Sequence, residues 1–262
     1  MGETAALLDL AVRLAREAGA LLLDRLPDAR TGVTSKSSPT DVATDADRAA
    51  EALITETLRR ERPGDAILAE EGTADTGTTG LRWVVDPLDG TVNYVYRAPA
   101  FCVSVAVEDA DGWLAGAVYD PQRDELFTGA RGEGSACDGA PLRCTGVTDL
   151  SRALVATGFS YVAADRAAQA GVLTRVLPAV RDIRRGGSAA LEICGVAAGR
   201  VDAYYELGPA PWDRGAGSVI ATEAGAVVRV LRTPDGRDLT VAAAPGVFDA
   251  LVGLLREAGA VG

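Results

Sequence analysis

The sequence predicts a mixed fold, α+β in its first half and α/β in its second. Three strand-like runs separated by turn residues follow one another across residues 101–128, a pattern typical of an antiparallel meander. Beyond about residue 150, strand-like and helix-like segments alternate, as they do in α/β proteins. The pattern changes around residues 144–150, so we expect two lobes, residues 1–145 and 146–262, in one compact unit.

Two helices begin the chain. Leucine and alanine recur at intervals of three or four residues across residues 4–26, and apolar residues recur in the same way across residues 44–60. The polar segment between them, residues 31–41, is predicted to be a mobile loop. Asp47 lies three residues after Thr44, which is the spacing of a capping box, so helix capping is the simplest role for it.

Short strands and helices fill the rest of the chain. Residues 66–69 form an apolar run that ends at Glu70 and Glu71, for which a solvated loop is the simplest interpretation. Further strands are predicted at residues 83–85, 101–108, 113–120, 125–128, 153–157, 201–206, 227–231 and 239–242. Further helices are predicted at residues 164–180, 188–196, 212–224 and 247–257.

Composition excludes several classes of function. The net charge of −11 argues against a nucleic-acid partner bound through its phosphates. No apolar run is long enough to span a membrane and no signal-peptide pattern begins the chain, so we expect a cytoplasmic protein without a membrane partner. The four cysteines are widely spread and include no C-x-x-C pair, which favours free thiols over disulfides or a zinc site.

The sequence contains no histidine, which limits its chemistry further. Nucleophile systems that pair Ser or Cys with His are excluded, as are His-based metal sites. Acid–base catalysis would then need carboxylates, hydroxyls, lysine or metal-bound water. A metal held without His or paired Cys is held by oxygen atoms, which favours Mg²⁺, Mn²⁺ or Ca²⁺.

Residues 83–93, with the sequence WVVDPLDGTVN, are predicted to be the chemical centre. An apolar run leads to two carboxylates, Asp86 and Asp89, with Pro87 between them. Because proline fixes φ and blocks a helix, the strand is expected to turn at Asp86. The strand end would then present both carboxylates and the carbonyl of Leu88.

The residues behind this strand are suited to binding phosphate. Gly90 permits a close backbone approach, and Thr91 is expected to be the N-cap of a helix. Backbone N–H groups at such a position can meet a phosphate. An ordinary surface turn is the alternative, because Asp-Pro and Asp-Gly are common turn dipeptides.

Four carboxylates fall at strand ends or helix starts: Glu70, Asp86, Asp89 and Asp213. Brought together without a cation, they would repel one another and their pKa values would rise. Two or three divalent cations would neutralise them. A pair of cations about 4 Å apart is the usual clamp on the attacking and leaving oxygens in phosphoryl transfer.

The chain resembles the inositol monophosphatase family of Mg²⁺-dependent, Li⁺-sensitive phosphatases, nearly from end to end. The motifs that carry this resemblance are Asp41-x-x-Thr44-x-x-Asp47, Glu70-Glu71, residues 83–93, Gly187-Ser188-Ala189-Ala190, and Ala203-Tyr204-Tyr205-Glu206 followed by Trp212-Asp213. Each motif is weak alone, but their order and spacing together favour this family over a surface turn. The resemblance implies a layered αβαβα sandwich of the sugar-phosphatase type and, usually, a homodimer.

The resemblance also implies the metal ligands. Glu70, Asp86 and the Leu88 carbonyl would hold the first Mg²⁺. Asp86, Asp89 and Asp213 would hold the second, and Glu70 would help to hold a weaker third. Mn²⁺ is a possible substitute.

The implied catalytic residues are Asp47, Glu70 and Thr91. A water on the first metal would attack phosphorus in line, and Thr91 with Asp47 would orient and deprotonate it. The phosphate would accept hydrogen bonds from the backbone N–H groups of Gly90 and Thr91. The capping role of Asp47 and its role as a base are compatible.

The implied substrate-binding residues are Asp89, Gly187, Ser188, Ala189, Glu206 and Asp213, and the expected partner is a small phosphorylated polyol. A carboxylate such as Glu206 would accept hydrogen bonds from two hydroxyls of inositol monophosphate, or would bind the ammonium of histidinol phosphate. Arg184 and Arg185 would hold the second phosphate of fructose 1,6-bisphosphate, or serve an interface or a surface. Lys36 matches a family position near the metals. Two alternatives to a phosphatase come from other functional classes: a non-catalytic regulatory module and a Ca²⁺-binding structural protein.

Overall fold

The computed structural model describes residues 2–36 and 40–262. These residues form seven α-helices: α1 (Glu3–Arg25), α2 (Asp45–Glu61), α3 (Thr91–Tyr96), α4 (Ala163–Val176), α5 (Ala189–Ala197), α6 (Pro211–Glu223) and α7 (Pro245–Glu257). They also form fifteen strands: β1 (Thr34–Ser35), β2 (Val42–Ala43), β3 (Ala66–Ala69), β4 (Ala74–Asp75), β5 (Arg82–Asp89), β6 (Cys102–Asp109), β7 (Gly112–Asp120), β8 (Glu125–Ala130), β9 (Gly134–Cys137), β10 (Ala140–Pro141), β11 (Leu154–Thr157), β12 (Asp182–Arg184), β13 (Ala203–Leu207), β14 (Val227–Arg232) and β15 (Asp238–Ala243). Single turns of 3₁₀ helix lie at Leu26–Asp28, Leu150–Arg152 and Leu177–Ala179.

The strands form two large sheets and one small hairpin, β1–β2. The larger sheet has eight strands in the order β10-β9-β8-β7-β6-β5-β3-β4, antiparallel throughout except for the parallel pair β3–β5. The smaller sheet has five strands in the order β12-β11-β13-β15-β14, in which β11 is parallel to both of its neighbours. The predicted meander is confirmed as β6–β7–β8.

Three hydrophobic clusters show how these elements stack. Helices α1 and α2 pack on one face of the eight-stranded sheet, around Leu14 and Trp83. Helices α5 and α6 lie between its other face and the five-stranded sheet, around Ile193. Helices α4 and α7 cover the outer face of the five-stranded sheet, around Leu251. This order of helix and sheet layers confirms the layered αβαβα sandwich. The predicted division at residues 145/146 falls between the two sheets and stays a prediction.

Helix α6 lies unusually close to the eight-stranded sheet because small residues meet there. A Cβ atom on Gly116 of β7 would lie 2.7 Å from the Cα of Ala216, and one on Gly129 of β8 would lie 2.9 Å from the Cα of Ile220. No side chain other than hydrogen fits at either position without moving the helix. These contacts fix α6, whose first turn carries Asp213, on β7 and β8 of the same sheet to which β5 and Asp86 belong.

The start of α2 has the capping geometry that the sequence predicted. The Thr44 hydroxyl accepts hydrogen bonds from the backbone N–H groups of Ala46 and Asp47, and the Asp47 carboxylate accepts one from the N–H of Thr44. This reciprocal capping box fixes the position of Asp47 on the buried side of the helix.

Two expectations for residues 83–93 are wrong. The chain does not turn at Asp86, because β5 continues through Pro87 to Asp89 and its register against β6 shifts between the two aspartates. A bulge of this kind tolerates the missing N–H of proline. Thr91 is not the N-cap but the first residue of α3; Gly90 is the N-cap, with φ of 93° in the left-handed region that glycine adopts without strain.

Other boundaries differ for ordinary reasons. The helix predicted at residues 164–180 ends at Val176, where Pro178 forces a 3₁₀ turn because it has no N–H for an α-helical bond. Strands β9, β10 and β12 are two to four residues long, too short to give a periodic signal. The predicted loop at residues 31–41 contains β1, and its residues 37–39 lie outside the described part of the chain.

Candidate active site

A cavity of about 430 Å³ brings most of the predicted site residues together. Its wall includes, among others, Lys36, Glu70, Asp86, Leu88, Asp89, Gly90, Thr91, Gly187, Ala189, Glu206 and Asp213. Of the predicted residues, Asp47 and Ser188 lie behind this wall, since both are buried and neither lines the cavity. The cavity therefore joins the end of β5 to the second half of the chain.

One end of the cavity is crowded with carboxylates. Asp86 is 1% exposed, and the charges of Glu70, Asp89 and Asp213 act on it. Burial raises the pKa of Asp86 well above its ordinary value, and neighbouring carboxylates, Glu70 first, raise it further. Burial followed by the charge of Asp89 likewise raises the pKa of Asp213 well above its ordinary value. Such a group is stable only with protons or cations among its oxygens.

Backbone and side-chain donors hold each of these carboxylates in place. Asp86 accepts a hydrogen bond from the Leu88 N–H at 2.9 Å, and Asp213 accepts one from the Ala210 N–H at 2.6 Å. Asp89 is bound from the start of α5, and the donors are the Ser188 hydroxyl at 2.6 Å and the Ala190 N–H at 2.7 Å. These bonds oppose the effect of burial, which nevertheless raises the pKa of Asp89 to about 6.

Lys36 lies at the same end of the cavity. Its ammonium is 2.9 Å from Glu70 Oε1 and also pairs with Glu71. Burial acts to lower the pKa of Lys36, but the two carboxylates raise it above its ordinary value overall. One positive charge therefore already contacts the carboxylate cluster.

The donor set fits hard divalent cations. Every potential ligand at this end is an oxygen atom, from a carboxylate or from the Leu88 carbonyl, which is the set preferred by Mg²⁺, Mn²⁺ and Ca²⁺. Within residues 2–36 and 40–262, no three acidic side chains already converge as a finished metal site. Two of the carboxylates have other partners in this structure: Glu70 pairs with Lys36, and Asp89 is bonded to the start of α5.

Thr91 connects the cavity to a buried base. Its hydroxyl lies 3.0 Å from Asp47 Oδ1 and 3.0 Å from the Leu88 carbonyl, and it has one proton to donate. Asp47 is fully buried and receives two further bonds from Thr44 at its other oxygen. Burial raises the pKa of Asp47 although these hydrogen bonds oppose the shift. The threonine hydroxyl therefore joins the cavity to this buried carboxylate.

The predicted substrate residues divide into two groups. Glu206, Gly187 and Ala189 line the cavity, and burial raises the pKa of Glu206 to about 7. The Ser188 hydroxyl is bonded to Asp89 and caps α5 by accepting from the Leu191 N–H at 3.3 Å.

The two neighbouring arginines also differ. Arg185 lines the cavity, whereas Arg184 pairs with Asp182 at 2.7 Å and does not line it.

Glu51 is a residue of the site region that the sequence reasoning missed. It is 6% exposed on α2, and its carboxylate accepts from the N–H groups of Glu71 at 2.6 Å and Thr73 at 3.1 Å and from the Thr73 hydroxyl at 2.8 Å. These bonds hold the turn that follows Glu70. The available signal was its position, one turn after Asp47 on the face that also carries Ile54, where a carboxylate needs a buried partner.

The chain matches the inositol monophosphatase family over residues 3–259. It is 45% identical over 276 residues to inositol-1-monophosphatase SuhB of Mycobacterium tuberculosis, covering 97% of this chain and 95% of that protein. It is 39% identical over 256 residues to the Nus factor SuhB of Escherichia coli, covering 96% of each. The solved structure of Mycobacterium tuberculosis SuhB superposes with a TM-score of 0.86 at 42% identity, covering all of both chains.

The fold and the family match together identify this chain as a phosphoric monoester hydrolase, as the sequence predicted. The chain belongs to the inositol monophosphatase family, whose members use divalent metal ions and act on small phosphorylated substrates. In the described part of the chain, no helix is long and apolar enough to cross a membrane.

Proposed function

We propose that this chain is a Mg²⁺-dependent phosphomonoesterase that hydrolyses inositol monophosphate, or a closely similar polyol phosphate, to the free alcohol and phosphate. The observation that carries the proposal is the single cavity in which Asp86, Asp89 and Asp213 lie beside the Thr91–Asp47 pair. A homodimer in the cytoplasm stays a prediction.

The carboxylate end of the cavity fits the proposed cations. Glu70, Asp86 and the Leu88 carbonyl would hold the first, Asp86, Asp89 and Asp213 the second, and Glu70 would help to hold a third. When bound, divalent cations supply a more acidic water and neutralise charge on the phosphate. Mn²⁺ would fit the same oxygen ligands.

The residues of the chain supply the proton path and part of the phosphate site. Because the Thr91 hydroxyl lines the cavity and donates to Asp47, it can take a proton from the attacking water and pass its own to the Asp47 carboxylate. The backbone N–H groups at the start of α3 have no acceptor within the helix, so those of Gly90 and Thr91 are available to phosphate oxygens.

Glu206 supports a polyol as the alcohol part of the substrate. Its carboxyl group lines the same cavity as the carboxylate cluster. A carboxylate accepts from two hydroxyls at once, which an inositol ring can offer. The relative in Mycobacterium tuberculosis carries the name inositol-1-monophosphatase.

Fructose 1,6-bisphosphate is a second candidate substrate because of Arg185. Its guanidinium lines the cavity, and no ion pair with it occurs among residues 2–36 and 40–262. A second phosphate of the substrate would complete that contact. Histidinol phosphate, whose ammonium would meet Glu206, is the third candidate.

Phosphate release from these three substrates with Mg²⁺ tests the proposal. We expect the largest kcat/KM for inositol 1-phosphate and loss of all activity when the metal is removed by a chelator. A larger kcat/KM for histidinol phosphate or fructose 1,6-bisphosphate would contradict the substrate assignment. Absence of phosphate release from all three would instead favour a regulatory module, and activation by Ca²⁺ alone would contradict the Mg²⁺ assignment.

A further inference from the structure

Glu206 lies between two cavities. It lines the main cavity and also a second, mostly apolar cavity of about 90 Å³, which lies behind the wall formed by Gly158, Phe159, Glu206 and Leu207. The contacts on the remaining sides of Glu206 therefore decide where its carboxyl group lies. Two residues, Tyr204 and Gly158, make such contacts.

Tyr204 provides the hydrogen bond that holds Glu206. Its hydroxyl donates to Glu206 Oε2 at 2.8 Å, and this is the one hydrogen bond that the carboxyl group receives from the described residues. The two residues are two positions apart on β13, so they share a face of the sheet. Tyr204 is fully buried, and burial raises the pKa of its phenol well above the ordinary value, so it remains a donor.

Gly158 makes the space that Glu206 occupies. It follows β11, whose last residue Thr157 pairs with Tyr205 of the parallel strand β13, so Gly158 lies beside Glu206. A Cβ atom at position 158 would overlap all three atoms of the Glu206 carboxyl group. Position 158 must therefore lack a side chain for this placement to exist.

We propose that Tyr204 and Gly158 are positioning residues that fix the Glu206 carboxyl group and thereby make the site selective for phosphate esters of hydroxyl-rich alcohols. The inference rests on the proposed function and adds to it. With Oε2 held by Tyr204, Oε1 is left to accept from substrate hydroxyls. A phosphate ester whose alcohol part bears no further hydroxyl gains nothing from this arrangement. The selectivity is therefore measured as the difference between such an ester and a hydroxyl-rich one.

The test compares Tyr204→Phe with wild type on inositol 1-phosphate and on phenyl phosphate, whose alcohol part bears no further hydroxyl. We expect kcat/KM for inositol 1-phosphate to fall about tenfold, mainly through a higher KM. This is the effect expected when one hydrogen bond to a charged group is lost. The kcat/KM for phenyl phosphate should change less than about twofold on the same argument. Tyr205→Phe, one position along on the opposite face of β13, is the matched control and should leave kcat/KM for both substrates unchanged.

Gly158→Ala supplies an independent variant. It should reduce selectivity for inositol 1-phosphate in the same way, because the added methyl displaces the Glu206 carboxyl group. In a Glu206→Ala background it should have no further effect, since the group it displaces is already absent. Thermal melting of each variant establishes that it is folded before the kinetics are compared.

Three outcomes overturn the inference: an equal loss on both substrates in Tyr204→Phe, no loss on either, or an additive effect of Gly158→Ala in the Glu206→Ala background. The failure of the proposed function is seen separately, in the wild type. If wild type releases phosphate from phenyl phosphate but not from inositol 1-phosphate, the proposed function fails before any variant is compared.

Discussion

The two ends of the cavity are built in different ways. The carboxylate end is largely local in sequence, because β5 and the following turn carry Asp86, Leu88, Asp89 and Thr91 within six consecutive residues. The other end carries Glu206 and is called the alcohol end, because the alcohol part of the proposed substrate would lie there. It is assembled from segments far apart in sequence, such as Gly158 after β11 and Glu206 near the end of β13. The first end holds charge that needs neutralising, and the second holds one carboxyl group that needs positioning.

This difference has consequences for how each end responds to change. At the carboxylate end, neighbouring carboxylates raise the pKa values of Asp86 and Asp213. Replacing one carboxylate there relieves repulsion, but it also removes a proposed metal ligand. At the alcohol end a single hydrogen bond fixes Glu206, so removing it should alter selectivity and little else. Mutations at the two ends should therefore separate catalysis from recognition.

The largest effect is expected for Asp86→Asn. It removes one of the charges proposed to hold the metals, so kcat/KM should fall on the order of a thousandfold, equivalent to about 4 kcal/mol of transition-state stabilisation. The metal-free variant should unfold at the same temperature as wild type or higher, because a buried repulsive charge is gone. Steady-state phosphate release and calorimetric melting measure the two effects. Unchanged turnover would exclude the metal assignment.

Thr91→Val tests the proton path at the carboxylate end. The variant removes the hydroxyl that bonds Asp47, so kcat should fall about a hundredfold, the lower end of general acid–base effects, with KM little changed. Thr91→Ser retains the hydroxyl and is the matched control. Equal loss in both variants would show that activity depends on how the side chain at position 91 packs and not on its hydroxyl, which would contradict the proton path.

Glu51→Gln should weaken metal binding at the carboxylate end without touching a ligand. Replacing one acceptor oxygen by an NH₂ group disturbs the turn that follows Glu70, and the Mg²⁺ dissociation constant should rise about tenfold, as for other groups that orient ligands. Glu56→Gln, exposed on the same helix, is the control. Calorimetric titration of metal-free protein measures the affinity, and equal affinities in the two variants would contradict the role.

A further effect, on stability and not on turnover, is a pH dependence that arises from Glu206. Its pKa in the folded state is raised from 4.5 to about 7, so the folded protein binds this proton more tightly than the unfolded chain does. The resulting stability is complete below pH 4.5 and is lost as pH rises through about 7. Metal-free wild type should therefore lose up to about 3 kcal/mol relative to Glu206→Gln across this window. Urea unfolding at several pH values measures the difference, and parallel profiles would contradict it.

The sequence predicted the fold class, the meander and the helices with clear apolar periodicity. It also singled out the residues of the carboxylate end that lie on β5 and at the start of α3, because they stand in one short motif. It did not predict that β5 runs on through Pro87, since a bulge depends on the register with β6, which is a property of the neighbouring strand.

The roles of Tyr204 and Gly158 were not predicted for a related reason, and Glu51 was missed although its position on α2 offered a signal. Tyr204 reads in sequence as a core aromatic, and Gly158 as an ordinary glycine after a strand. The role of Gly158 depends on the parallel pairing of β11 with β13, which joins segments nearly fifty residues apart. The Tyr204–Glu206 hydrogen bond lies within β13, but it matters only because Gly158 leaves space for the Glu206 carboxyl group. Glu51 likewise gains its role only where α2 packs against the turn after β3.

The most direct measurement is a Mg²⁺ titration of metal-free protein, followed both by calorimetry and by phosphate release from inositol 1-phosphate. The account predicts that at least two ions bind per chain, that phosphate release rises with their occupancy, and that Asp86→Asn weakens both together. Phosphate release at full rate in the presence of a chelator, or Mg²⁺ binding unchanged by Asp86→Asn, would contradict it.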